Sequence, residues 1–480
     1  QYDPEYGNHS SVCQLWWHIC RFFAAGDGDC FKRVQGCAEG TLTGIFCIYW
    51  YITDDLKAGP KERDVDENRI VISGPQRMQG ELLVQGSKNA ALPILAAAVL
   101  ADGIFVLHHC PEISDVDHML ELLQTAGCRV RREGHMVILD TRSLDNHRIT
   151  GSGAGKMRST ITLLGSMLGR LHQVEIPYPG GCTIGKRPID LHLSGLRLLG
   201  ADFRQEEHTL CGSADRLHGA QICLHFPSVG ATENLMLAAV LSEGVTVIHG
   251  AAMEPEICVL AEFLRKMGAK VRGDGTPCVT IEGVKKLDAV EYIIPSDRIV
   301  AGTYLLGALI TRGDVKLLHL PVQHLGTLPH LLEQMGAVVE SGKDWIHVQM
   351  EKRCRPIPNI VTAPFPGFST DLQSALMAVL STADGISFVE EKIFEARFQI
   401  VPELVKMGAS IVNQDSFALI EGVRGLSGAK VQAKELRGGA GLIMAALAAE
   451  GETVMEGMEY VRRGYEDIKG DLKSLGIVIY

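Results

Sequence analysis

The 480-residue sequence lacks any C-x-x-C pair, although it holds 13 cysteines. Without that spacing, the usual frame of a zinc or iron–sulfur site is missing. It also lacks a run of the roughly 20 apolar residues needed to span a bilayer; the apolar stretch from Gly44 to Ile52 is too short. No basic segment followed by an apolar core opens the chain, so no secretory signal is read there. Basic residues are not in excess. The formal net charge is −11, which argues against a nucleic-acid partner because such binding needs a basic face. What is present is ordinary for a globular protein of two or more domains: 46% hydrophobic and 21% charged residues.

Five cysteines (Cys13, Cys20, Cys30, Cys37 and Cys47) crowd the first fifty positions, and three of the four tryptophans fall in residues 1–66. This segment shows no period of 2 or 3.6. We expect a weakly ordered, atypical leader, joined through the charged stretch from Asp54 to Glu67; a small appended module is the alternative. The other eight cysteines sit mostly in apolar contexts and read as reduced core thiols of a cytoplasmic protein.

From Asn68 onward the chain repeats. An apolar helical segment ends in glycine at Gly127, Gly200, Gly268, Gly336, Gly408 and Gly476, at intervals of 73, 68, 68, 72 and 68 residues. After each glycine a short strand, a turn and a second strand are expected. A glycine directly after a helix suits a left-handed cap. Six units of about 70 residues are too long for a simple solenoid and divide into two lobes of three. Ligands commonly bind between lobes.

The stretch Pro179-Gly180-Gly181-Cys182-Thr183-Ile184-Gly185-Lys186-Arg187-Pro188 cannot form a regular helix or strand. Lys186 and Arg187 favour the thiolate of Cys182 and offer a seat for an anion. A surface turn with an incidental cysteine is the plainer alternative. Cations or small residues also stand where helices or units should begin: Lys88-Asn89, Arg158, Ser228-Val229-Gly230, Glu395 to Arg397 and Leu436-Arg437; Arg462-Arg463 sits near the C-terminus. Asp371 opens another helix, where an acid is favoured by the helix dipole whether or not it has a function. Cations gathered in one cleft of an acidic chain imply a multiply anionic ligand.

The motifs GSKNAALPILAA from Gly86, MRST from Met157, PGGCTIGKRPIDLH from Pro179, PSVGATEN from Pro227, EPEI from Glu254, PSDRI from Pro295, STDLQ from Ser369, LRGGA from Leu436 and RGYE from Arg463 resemble those of the UDP-N-acetylglucosamine 1-carboxyvinyltransferase family, the enolpyruvyl transferases acting on UDP-N-acetylglucosamine. The resemblance spans about residues 68–476. It implies an α/β fold: a two-lobed inside-out α/β barrel, or α/β prism, of six βαβαββ units. The lobes expected are 88–295, and 67–87 plus 296–480. It implies transfer of the enolpyruvyl group of phosphoenolpyruvate to the 3′-hydroxyl of UDP-N-acetylglucosamine. Phosphate is released without metal or organic cofactor, early in cytoplasmic peptidoglycan synthesis, with the roles in cell-wall biogenesis, shape and division that follow.

By the same resemblance, Cys182 is the proton donor and the target of fosfomycin. Asp371 is the base at the sugar hydroxyl. Lys88, Arg158 and Arg187 face phosphate, while Arg437 and Arg463 act from the other lobe. Asn89 and Glu254 lie near the reacting centre. Arg187, Pro188, Ile189, Asp190, Leu191, Ser228, Val229, Gly230 and Ile393 contact the nucleotide sugar. The chain departs from the family pattern at Ala396, usually Asn, and at Glu435, often Asp. A 3-phosphoshikimate enolpyruvyl transferase-like enzyme and a catalytically silent UDP-sugar-binding paralogue are the alternatives.

Overall fold

The computed structural model of the chain describes residues 68–149, 158–178, 185 and 188–479, with the backbone alone at Arg158 and Ser159. The leader and most of the Cys182 loop lie outside the described residues. So does the expectation that the leader is weakly ordered.

Two hydrophobic cores form. One draws on residues from Ala90 to Ile294. The other joins residues from Ile70 to Val84 with those from Ile299 to Ile479. Each core is built around three helices that are largely apolar and buried on nearly every side, and a helix without a solvent-facing stripe must be enclosed. In the first lobe these are Lys88–Ala98, Leu163–Leu171 and Val229–Ala239. In the second they are Arg298–Ile310, Thr370–Leu380 and Leu436–Ala448. Every residue from Ile299 to Ile310 is buried. Sheets surround the helices, which makes the architecture an inside-out α/β barrel in each lobe. The helices touch closely: a Cβ on Gly165 would stand 2.2 Å from the Asn234 carbonyl oxygen, so only glycine fits there.

Among the described residues six sheets wrap the two cores. In the first, Glu291–Ile293 runs parallel to Ile104–His108, followed antiparallel by Met136–Asp140 and Arg129–Glu133. The second lobe repeats this plan, with Gln79–Leu83 parallel to Asp314–Leu318, then Trp345–Gln349 and Val338–Ser341. Strands alternate one face to the core and one to solvent, as in Val245–His249, where Thr246 and Ile248 are buried and Val245 and His249 exposed. The chain therefore enters the first lobe from a strand of the second and leaves from a strand of the first. The two crossing segments pair at Gly86 and Ser296.

All six marker glycines have positive φ, from 77° at Gly476 to 103° at Gly336, the conformation a helix-ending glycine supplies at least cost. Five are followed by the expected pair of strands. The sixth is not. After Gly476 the chain has only Ile477 to Ile479 before its last residue. Ile479 bridges Ile72 of Arg69–Gly74, which pairs antiparallel with Ala449–Glu456. Arg69–Gly74 thus takes a strand position in the last unit, between Ala449–Glu456 and Ile479.

The cysteine expectation needs correcting. Cys110, Cys128 and Cys354 are buried, but Cys223 and Cys278 are exposed. Both sit on outward positions of strands whose alternate residues, Ile222 and Val279, face the core. Among the described residues no helix is long and apolar enough to cross a membrane.

Candidate active site

Side-chain caps fix the first turn of inner helices in both lobes. Ser87 and Ser228 each accept from the backbone three residues on, Ser369 from Asp371, and Asp297 from Ile299 and Val300. Each cap contributes about 1 kcal/mol to its helix. Asp297 also accepts from the Lys88 backbone N–H at 3.0 Å, so one carboxylate caps helix starts in both lobes.

Lys88 is the first residue of its helix and is 9% exposed. Its Nζ lies 2.6 Å from Asp115 Oδ2. The same carboxylate receives Arg463 Nε at 2.9 Å and a second guanidinium nitrogen at 3.2 Å. Burial draws the Lys88 ammonium below its ordinary range; Asp115 opposes that, and Arg463 and Arg437 add to it. Burial would raise Asp115, but Lys88 and Arg463 outweigh it and hold the carboxyl low. The unusual placement of a cation at a helix N-terminus is thus compensated by an acid from the next helix, Ser114–Thr125.

On the second lobe, Asp371 accepts from Arg397 at 2.7 Å and from Arg437 at 3.4 Å. Arg397 is 2% exposed. It also donates twice to the Thr370 carbonyl and lies 3.6 Å from Glu435. Glu435 in turn caps the Leu436–Ala448 helix through the backbone of Arg437 and Gly438. Asp371 is therefore more than a dipole-favoured acid: two arginines hold its carboxylate in place. Arg437 is buried, and its Nη1 has no partner among the described residues. A buried N–H left unpaired is costly unless a ligand accepts from it.

Glu254 and Glu256 begin the Pro255–Lys266 helix and reach across the seam. Glu256 takes Arg298 in a two-pronged pair at 2.8 and 3.2 Å. Glu254 Oε1 accepts from the Phe365 backbone at 3.2 Å, and its Oε2 is buried with no partner among the described residues. Burial raises the Glu254 carboxyl above its ordinary range.

Cys182 and Arg187 lie outside the described residues, as does the Arg158 side chain. Gly185 of the same loop rests against the second lobe: a Cβ there would meet Glu395 Oε2 at 2.9 Å and the Glu395 backbone nitrogen at 3.4 Å. Gly185 therefore lies beside the segment that carries Ile393 and Arg397. Ile393 donates its backbone N–H to Glu391 at 2.7 Å. Pro188 and Asp190 are exposed, Leu191 half-buried and Ile189 buried. Gly230 lies beside this group, since a Cβ on it would stand 3.1 Å from His192. Asn89, next to Lys88, is half-buried, as are Ser228 and Val229.

Residues 72–472 match the family described as EPSP synthase (3-phosphoshikimate 1-carboxyvinyltransferase). UDP-N-acetylglucosamine 1-carboxyvinyltransferase 2 of Caldanaerobacter subterraneus subsp. tengcongensis is 47% identical over 408 residues, covering 85% of this chain and 98% of that one. The chain belongs to the UDP-N-acetylglucosamine 1-carboxyvinyltransferase family. A second carboxyvinyltransferase, from Symbiobacterium thermophilum, is 44% identical over 86% of this chain and 94% of its own. Among solved structures, the enolpyruvyl transferase NikO from Streptomyces tendae superposes with a TM-score of 0.78 at 23% identity, covering 86% of this chain and 98% of that one. EPSP synthase from Acinetobacter baumannii gives 0.68 at 21%, covering 86% and 99%. These two share the fold.

Sequence reading missed several residues that the structure pairs at the seam. Asp115, Glu256, Asp297, Arg298 and Glu435 were not singled out as site residues, and Arg397 was seen only as one cation among many. Asp297, Arg298 and Glu256 stand inside the quoted motifs PSDRI and EPEI, so the signal was present. Asp115 had none beyond an acid-rich first turn.

Proposed function

We propose that the chain transfers the enolpyruvyl group of phosphoenolpyruvate to the 3′-hydroxyl of UDP-N-acetylglucosamine, releasing phosphate. This is the entry to peptidoglycan precursors. The reading assigns it a cytoplasmic place and a share in cell-wall growth, cell shape and division. The observation that carries this is the meeting of Lys88, Arg463, Arg437 and Asp371 at one seam, on the fold of that family.

The chemistry asks for three things. The sugar hydroxyl must lose its proton as its oxygen bonds to C2 of phosphoenolpyruvate. The methylene carbon C3 must gain a proton, and lose one again when the C–O bond to phosphate breaks. Fixed positive charge must neutralise the phosphate throughout. In this reading Asp371 is the base at the hydroxyl and Cys182 the acid at C3. Lys88, Arg158 and Arg187 hold the phosphate. Arg437, through Nη1, and Arg463 hold the opposite end of the small substrate. Asn89 and Glu254 line the reacting centre. Arg187 to Leu191, Ser228 to Gly230, and Ile393 hold the sugar nucleotide. The lobes divide at residues 88 and 295, so neither set of groups acts without the other.

The acceptor decides the reading. Phosphate release with UDP-N-acetylglucosamine and none with 3-phosphoshikimate supports it. The reverse pattern would assign the chain to the sister activity, and sugar-nucleotide binding without turnover would make it a silent binder.

A further inference from the structure

Arg463-Gly464-Tyr465-Glu466 is held from both lobes. Gln85, on the crossing segment, donates to the Gly464 carbonyl at 3.2 Å and accepts from the Glu466 backbone at 3.0 Å. The Glu466 carboxylate accepts from the Glu112 backbone at 2.8 Å, and Arg463 reaches Asp115. Tyr465 points the other way. It is 1% exposed inside the second lobe.

The Tyr465 hydroxyl lies 2.8 Å from Thr303 Oγ1, and Thr303 Oγ1 lies 2.9 Å from the Ile299 carbonyl. A carbonyl can only accept, so Thr303 gives it its proton and the phenol donates to Thr303. The lone pairs of the phenol oxygen then remain for a cation. Arg437 stands there: its guanidinium carbon is 6.0 Å from the Tyr465 ring centroid, and the phenol oxygen is one of its electrostatic partners. Arg437 is 5% exposed, and its remaining carboxylate contact, to Asp371, is long at 3.4 Å.

We infer that Tyr465 is a positioning residue that sets Arg437 and Arg463 relative to each other, its hydroxyl anchored on Thr303 beneath one guanidinium while its chain neighbour Arg463 carries the other. A buried tyrosine serving only the core would work equally well as phenylalanine. Its ring packs edge-on to Tyr304 at 6.4 Å and would keep that contact. The polar chain from Thr303 is what a core role leaves unexplained. The inference rests on the proposed reading that these two arginines grip phosphoenolpyruvate.

The test is steady-state kinetics on the full chain for Tyr465→Phe, Thr303→Val and Thr303→Ser, with thermal melting of each. Loss of a hydrogen bond to a charge network raises KM for phosphoenolpyruvate about tenfold in Tyr465→Phe and Thr303→Val. KM for UDP-N-acetylglucosamine stays within about twofold, because that ligand is held elsewhere. Thr303→Ser, which keeps the hydroxyl, restores the wild-type value. An unchanged KM for phosphoenolpyruvate in Tyr465→Phe overturns the inference, as does an equal rise for both substrates. A wild-type chain that turns over neither substrate refutes the proposed function instead.

Discussion

Arg463 and Asp115 meet across the seam at 2.9 Å, and the same carboxylate holds Lys88 at 2.6 Å. One buried acid thus gathers a cation from each lobe. With Glu256 on Arg298, Glu254 on the Phe365 backbone, and Asp297 on the Lys88 backbone, it ties the seam through carboxylates that accept from side chains and from backbone N–H groups across it.

Asp115→Asn leaves Lys88 buried without its counter-charge. Removing one partner of a buried ion pair costs about 3 kcal/mol or more, read as a fall in unfolding free energy by urea titration. The low Asp115 pKa fixes the sign of the pH effect. Its stabilisation is present above the ordinary carboxylate range near pH 4 and is lost as pH falls through the lower folded value. Asp115→Asn should therefore flatten the acid limb of the stability curve. An unchanged acid limb would show that the pair carries no net stabilisation.

Arg397→Lys keeps the charge but loses the planar fork that serves Thr370, Asp371 and Glu435 at once. Turnover should fall about 10²-fold as Asp371 loses its fixed orientation. Full activity in this variant would mean that Asp371 is oriented by Arg437 alone.

The six helix-ending glycines, and with them the repeated units, were legible because a left-handed cap has a residue type of its own. The closing of the sixth unit was not. Its strand from Arg69 to Gly74 lies some 400 residues before Ile479, and pairing at that separation leaves no local mark. Lys88, Asp371 and Arg437 were legible as polar residues at helix starts, and Arg463 as part of the motif RGYE, in the turn after Met458–Val461. Arg397 and Asp115 were not, because a buried ion pair is a relation between distant residues, and each partner alone reads as a surface charge.

Glu233 offers a test of burial. It sits in the Val229–Ala239 helix at 7% exposure, and burial, with Glu256 and Glu254 adding, pushes its carboxyl well above the ordinary range. A raised carboxyl contributes stability at low pH that is lost as pH rises through the folded value. Glu233→Gln should therefore be more stable than wild type at pH 8 and closer to it at pH 5, by thermal melting. A larger loss at pH 8 than at pH 5 would contradict the assignment.

Cys182→Asp separates two properties of the thiol. A carboxylic acid can deliver a proton but does not open an epoxide as a thiolate does. The variant should keep part of its turnover and lose sensitivity to fosfomycin, while Cys182→Ser loses about 10²–10⁴-fold in rate. Labelling of another cysteine by the inhibitor, with Cys182→Ser fully active, would move the acid elsewhere.

The most direct measurement is mass spectrometry of the sugar nucleotide after incubation with phosphoenolpyruvate, alongside phosphate release in the same tube. The account predicts UDP-N-acetylglucosamine heavier by one enolpyruvyl group, in equal amount to the phosphate freed. Unchanged sugar nucleotide, with or without phosphate release, would contradict it.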